Sequence, residues 1–421
     1  MNPAKAIRLI FYLALLGLIA GCIPAANSDP APVEKISSAL NQSIPTPERA
    51  SPSNPVAVSP TSNPAPYPTL AYLRQGNLWF FDFTMNRELQ VSSSGNIQAF
   101  AWSPDGQSVA IYTGNELCIV LASAGMTPTC FSLEPRQRSI YKTPTLIWSP
   151  DQKQILVMQD EWWLVQMANG QPVSAKHIVD PQTWGATWPD VAEPGSPAYT
   201  GQGIFLADSS LIGTAAHLWD CGSVGCSHRL FRFNNETLRF DPFDGSNFTN
   251  GGEQLLLSHD GRRLVNYGSF HAGCGMYTTY VNVTDLTTGD GRSFAFEQES
   301  FYELAFSPDG NQLVIAQGAG CGSAGQDVWS VSCGLIDSFE IYPLQIWDWQ
   351  ANTRETLVPG LEPDWSNDGK HLVFRSCLAQ APDAQWKPIE SGPPWLYVLS
   401  FGEGEYTNQP VAIGQNPSWQ P

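Results

Sequence analysis

The chain has 421 residues, of which 42% are hydrophobic, with 36 Gly, 34 Pro and a formal net charge of −18. So much apolar sequence excludes a disordered main body. The acidic balance excludes nucleic acid and anionic membrane surfaces as partners, because phosphate binding needs clustered Lys and Arg.

Residues 1–21 read as a lipoprotein signal peptide. Lys5 and Arg8 form a basic start, and residues 9–18 form an apolar run too short for a membrane span. Ile19-Ala20-Gly21-Cys22 then matches a bacterial lipobox, whose cysteine, here Cys22, takes a diacylglyceryl group. The expectation is an extracytoplasmic protein of the bacterial cell envelope, touching the membrane through its lipid anchor only. Residues 22–66, with stretches such as Ile44-Pro45-Thr46-Pro47, show no apolar period and read as a Pro/Ser-rich disordered tether. As a flexible coil the tether spans on the order of 40 Å.

Residues 67–421 carry a repeat. Ala101-Trp102-Ser103-Pro104-Asp105-Gly106 followed by the apolar run 109–112 reads as a strand end, a tight turn and the start of the next strand. Pro104 presets φ, Asp105 can bond back to nearby amides and Gly106 tolerates φ > 0. The stretch returns as Ile147-Trp148-Ser149-Pro150-Asp151, Leu257-Ser258-His259-Asp260-Gly261, Ala305-Phe306-Ser307-Pro308-Asp309-Gly310 and Asp364-Trp365-Ser366-Asn367-Asp368-Gly369. A last fragment is Asn416-Pro417-Ser418-Trp419. Repeats of several short strands each predict an all-β protein, a β-propeller. Each unit is written as strands A to D, with the turn between A and B. Strand B is expected at 70–73, 109–112, 155–158, 203–206, 264–267, 313–316 and 372–374. That makes seven blades. The fourth rests on the decayed turn Ala186-Thr187-Trp188-Pro189-Asp190, so six or eight blades stay open. The first strand B has no strand A before it, and the C-terminal fragment is a strand A with nothing after it. Pairing them closes the ring and removes exposed sheet edges.

The Trp-Ser-Pro-Asp-Gly turns at 102–106, 148–151, 306–310 and 365–369 resemble those of TolB-type β-propellers, the WD-like repeat family of bacterial envelopes. The resemblance implies a propeller fold and, loosely, a protein-binding platform outside the cytoplasm; some members instead act as polysaccharide lyases or precede a hydrolase domain. The motif is structural, so no functional residue carries over with it. The sequence has no Gly-x-Ser-x-Gly elbow and no His-Glu-x-x-His zinc motif, and the expectation is a non-enzymatic monomer without a cofactor.

Candidate functional residues lie in the long connections between strands B and C of the last four blades, expected at about 208–228, 268–276, 317–338 and 375–394. Apart from Cys22, eight cysteines remain, an even number that in an exported protein reads as disulfides. Cys118 and Cys130, on neighbouring strands C and D of blade two, form one candidate pair. The other six are Cys221, Cys226, Cys274, Cys321, Cys333 and Cys377. Cys221–Cys226, Cys321–Cys333 and Cys274–Cys377 give one connectivity; Cys274–Cys321 with Cys333–Cys377 gives another. His217, Cys221, Cys226 and His228 have spacings that zinc could use, a rival to the disulfide reading. Trp184, Trp188, Trp219, Trp329 and Trp386 fall outside the regular strand slots and, with His271, are candidates for a ligand face that stacks on sugars or anchors a protein. Asp208, Asp220, Asp327 and Asp383 share these connections without a spacing that marks catalysis. The functional reading is a membrane-anchored module that binds an envelope protein or polysaccharide. The alternative is a carbohydrate-active enzyme, a propeller lyase or hydrolase with a loop-face active site.

Overall fold

The computed structural model describes residues 69–122, 128–133, 144–159, 161–179, 198–217, 221–222, 225–226, 228–243, 252–271, 277–297, 299–318, 343–380, 386–388, 394–402 and 406–421. Residues 1–68, with the signal peptide, Cys22 and the tether, lie outside this set. So do Trp184, Trp188, Trp219, Trp329, Cys274, Cys321 and Cys333.

Every regular element among the described residues is a strand. The first sheet begins with β1 (Thr69–Arg74), β2 (Asn77–Asp82) and β3 (Arg87–Gln90). The second is β4 (Ala99–Trp102), β5 (Ser108–Tyr112), β6 (Glu116–Leu121) and β7 (Thr129–Ser132). The third is β8 (Thr145–Trp148), β9 (Gln154–Met158), β10 (Trp162–Ala168) and β11 (Gln171–Val179). The fourth takes β12 (Ala198–Phe205) and β13 (Leu211–His217), then passes through a small hairpin, β14 (Cys221–Gly222) and β15 (Gly225–Cys226). It finishes with β16 (Arg229–Asn234) and β17 (Arg239–Pro242). The fifth is β18 (Gln254–Leu257), β19 (Arg263–His271), β20 (Tyr277–Asp285) and β21 (Gly291–Glu297). The sixth is β22 (Ser300–Phe306), β23 (Gln312–Gly318), β24 (Pro343–Asp348) and β25 (Thr353–Pro359). The seventh takes β26 (Leu361–Trp365) and β27 (His371–Ser376), a hairpin of β28 (Leu378–Gln380) and β29 (Trp386–Pro388), then β30 (Trp395–Phe401) and β31 (Tyr406–Ile413). The last strand, β32 (Gln415–Trp419), returns to β1, pairing Trp419 with Leu70 and Ser418 with Ala71. Seven four-stranded antiparallel sheets result, a seven-bladed β-propeller closed by the two ends of the folded chain.

The packing counts the blades independently. Seven apolar clusters lie among the described residues, each between two successive blades. β5 shows how one strand serves two of them. Val109 and Ile111 pack toward blade one, whereas Ala110 and Tyr112 pack toward blade three. Successive side chains point to opposite faces, and both faces are covered, so the strand reads as a continuous apolar run. The outermost strands have a neighbour on one edge only and are mostly exposed, as β3 and β7 show.

The repeated turn is a hydrogen-bonded unit. Ser103 Oγ donates to Asp105 Oδ1 at 2.6 Å and accepts the Ser108 amide at 3.0 Å. Asp105 Oδ1 also accepts the Gln107 amide, and the Gly106 amide, at positive φ, closes on the Ser103 carbonyl. The same Ser–Asp bond recurs at 149/151, 258/260, 307/309 and 366/368. Partial burial pushes Asp151, Asp260, Asp309 and Asp368 upward, yet these bonds outweigh it and hold all four below the usual carboxylate range.

The tryptophan before the turn ties one blade to the next. Trp148 Nε1 donates to the Ala101 carbonyl, Trp102 Nε1 to that of Ser418 and Trp419 Nε1 to that of Asp364, at 3.1–3.2 Å.

Blade four corrects the sequence expectation. Residues 203–206 are not its strand B but the end of strand A and the start of the turn, and strand B is β13. The turn is Leu206-Ala207-Asp208-Ser209-Ser210, with Asp208 accepting the Ser210 amide. The decayed motif at 186–190 lies outside the described residues. Phe205 occupies the tryptophan slot, while Trp162 from blade three fills the space between the blades against Phe240. A Cβ at Gly203 would lie 2.7 Å from the Trp162 ring and one at Gly213 would lie 3.0 Å from it, so glycine admits the ring at both places.

Candidate functional site

Antiparallel alternation places the B–C and D–A connections on one face. In blades one to three the B–C connections are short, spanning 75–76, 113–115 and 159–161. In blades four to seven they span 218–228, 272–276, 319–342 and 377–394, and those of blades four and seven carry the β14–β15 and β28–β29 hairpins. The expected long connections of blades four, six and seven are therefore present with shifted bounds. That of blade five shrinks to 272–276 because β19 and β20 run on to His271 and Tyr277.

Cys118 and Cys130 face each other across β6 and β7 and are joined by a disulfide. With Glu116 they form the one group of three metal-type side chains close together among the described residues, but the two sulfurs are bonded to each other. Cys221 and Cys226 are register partners across the β14–β15 hairpin, and Cys377 is disulfide-bonded. The partner of Cys377 lies outside the described side chains, so the two connectivities stay open. His228 is buried at the start of β16. The side chains of His217, His271, Cys221, Cys226 and Trp386 lie outside those described.

Among the described residues a set of ionisable groups lies elsewhere, on the inner strands of blades six and seven, and sequence reasoning missed it. Counting four residues back from the turn serine, or from Leu206 in blade four, gives the slot Ala99, Thr145, Gln202, Gln254, Glu303 and Glu362, with Asn416 in the closing strand. Glu362 and Asn416 both precede proline and both have positive φ, 54° and 50°. A β-bulge sits at each place, between Leu361 and Asp364 in β26 and opposite Ala71–Leu73 in β32. A bulge leaves backbone amides without a ladder partner. Side chains of the preceding blade take them up. Glu303 accepts the Glu362 amide, and Glu362 Oε2 accepts the Asn416 amide at 2.6 Å. Outside the bulges the preceding blade also reaches across: Asp364 Oδ2 accepts the Trp419 amide at 2.8 Å, and Gln202 Oε1 accepts the Leu255 amide at 3.1 Å.

Arg375 of β27 completes the cluster by pairing with Glu362 at 3.0 Å, both side chains nearly excluded from solvent. Glu303 and Asp364 are enclosed by neighbouring strands but keep partial access to solvent. Burial pushes Glu303 up to about 8, helped by the Glu362 charge and opposed by Arg375. Burial likewise pushes Asp364 up to about 7, against the Trp419 amide and Ser418. Two carboxyl groups thus hold protons near neutrality beside one buried ion pair. The signal available in the sequence was a set of acids in slots that other blades fill with uncharged residues, Ala, Thr, Gln, Asn, Ser, Ile or Leu.

No family model and no curated protein matches the chain. Solved structures similar to it include hydrazine synthase of Kuenenia stuttgartiensis, 13% identical over 72% of this chain and 76% of that one, TM-score 0.44. TolB of Acinetobacter baumannii is 16% identical over 84% of this chain and 67% of its own, TM-score 0.41. A Bacteroides fragilis protein provisionally assigned as a 6-phosphogluconolactonase is 13% identical over 85% and 98%, TM-score 0.49. These matches set TolB among the similar structures and leave this chain's chemistry to its own residues.

Proposed function

We propose that this chain is a TolB-type lipoprotein of the bacterial cell envelope, anchored through Cys22, whose propeller binds an envelope protein or polysaccharide without catalysing a reaction. The observation that carries the reading is the asymmetry of one face. Three blades turn from B to C in two or three residues, whereas blades four, six and seven insert long connections, two with their own hairpins. A rigid ring with elaborated connections on one face suits recognition, since binding residues concentrate on loops held by a fixed scaffold. The repeated Ser, Asp and Trp residues are meanwhile occupied in turns and blade contacts.

The test is capture from envelope extract on the immobilised full-length protein, alongside a polysaccharide-binding screen, for the native chain and a Trp219→Ala/Trp386→Ala variant. A ligand retained by the native chain and lost by the folded variant supports the reading. Cleavage of a polysaccharide, seen as new reducing ends or unsaturated products, overturns it in favour of a lyase or hydrolase. A ligand held equally by both proteins overturns the assignment of the face.

A further inference from the structure

Each blade leaves its outer strand with one open side, which an extended segment of another chain can complete. Six of the seven outer strands blunt that side. β3, β7 and β17 have four residues each. β11 carries Pro172 and β31 carries Pro410, and bulges break the ladders of both. β25 ends in Pro359, and its ladder is bulged as well. β21 of blade five has none of these devices. Its seven residues, Gly291–Glu297, pair with β20 without a bulge or a proline, and among the described residues β20 is its sole neighbour in the sheet.

The Asp285 amide bonds the Asp290 carbonyl at 2.8 Å, and bonded pairs alternate from there along the antiparallel ladder. Arg292, Phe294 and Phe296 therefore turn their backbone groups toward β20. Gly291, Ser293, Ala295 and Glu297 direct theirs outward, and all four residues are exposed. Side chains hold the strand in place without covering that edge. Phe294 and Phe296 meet Trp347 of blade six in T-shaped contacts, and Arg292 donates to the Gln350 carbonyl at 2.9 Å. The free charge at the edge has one sign. Arg292 is held by that carbonyl and Arg354 by Glu299, whereas Asp290 and Glu297 enter no ion pair among the described residues.

We infer that β21 is a site of strand addition whose occupant is an extended segment of a partner protein with a basic residue toward each end. Ladder bonds to Gly291, Ser293, Ala295 and Glu297 supply the affinity, and Asp290 and Glu297 take the two basic groups. The small Ser293 and Ala295 side chains leave room for those of the incoming strand. A second copy of this chain fits less well. Full antiparallel overlap of two β21 strands sets each Glu297 opposite Gly291 of the other copy, one residue from that copy's Asp290, so acids meet at both ends. Each copy also brings a formal charge of −18. The site is separate from the B–C connections, because the open edge runs along the outer strand of blade five.

The probe for the full-length protein is an eight-residue peptide of alternating Thr and Val between two terminal Lys. Followed by fluorescence anisotropy at low salt and by hydrogen exchange, it should bind and raise protection over residues 291–297, leaving 353–359 and 406–413 unchanged. The same peptide with Glu in place of both Lys should bind about tenfold more weakly. Ala295→Pro removes one outward amide from an edge strand, where proline is tolerated, and should lose both the binding and the protection. Where that variant does not fold, the Lys probe N-methylated at two adjacent central residues, one for each edge of the peptide, decides on the native chain. It cannot complete the ladder and should not protect 291–297. No binding of the Lys probe, protection confined to other segments, or equal binding by the N-methylated or Glu-ended peptide would overturn the inference. Protection over 291–297 that rises with protein concentration alone would overturn the assigned occupant in favour of a second copy.

Discussion

Replacing Trp419 by alanine removes the side chain that seals the seam between blades seven and one. The ring is 95% excluded from solvent, given its 5% relative exposure, and packs with Leu70, Tyr72, Phe81, Val373, Leu396 and Val398. It stacks on Phe83 at 5.3 Å between centroids, and its Nε1 bonds the Asp364 carbonyl at 3.1 Å. Truncating a buried Trp costs about 3–5 kcal/mol. Leaving that enclosed carbonyl unpaired adds about 1 kcal/mol. With unfolding entropy near 2.1 cal/mol/K per residue, a ring of about 350 residues has roughly 0.7 kcal/mol/K at its midpoint. The expected fall in Tm is therefore roughly 5–9 °C. Calorimetry at fixed pH reads it, with Met85→Ala as control: that side chain is 60% exposed, and its loss should move Tm by less than about 1 °C. If Trp419→Ala melts within a degree of the control, the C-terminal strand does not close the ring energetically, and the reasoning fails.

Two further outcomes are expected. Ser307→Ala removes a donor to Asp309 and the acceptor of the Gln312 amide, so urea unfolding should show a loss of about 1–3 kcal/mol; a loss below about 0.3 kcal/mol would mean the motif serine is replaceable in its turn. Cys22→Ala should move the protein from the membrane fraction into the periplasm or medium on fractionation, and unchanged retention would sink the lipid-anchor assignment.

How much of this was written in the chain depends on how far apart the interacting residues lie. The turns were legible because their chemistry is local: Ser103, Asp105 and Ser108 meet within six residues, and copies of that stretch mark out blades. The unpaired strands at the two ends of the repeat predicted the closure that β32 and β1 make. Blade four was misplaced by one strand because its turn, Leu206-Ala207-Asp208-Ser209-Ser210, keeps the aspartate and loses the Trp, Pro and Gly that identified the others. Only the tertiary structure shows why that loss is tolerated, since Trp162 reaches across from blade three into space left by Gly203 and Gly213. The same limit hid the inner acids. Glu362 meets Asn416, and Asp364 meets Trp419, across 54 and 55 residues of chain. The apolar run of each strand marked it as buried, but the partners of its side chains come from the next blade, and only the closed ring brings them together.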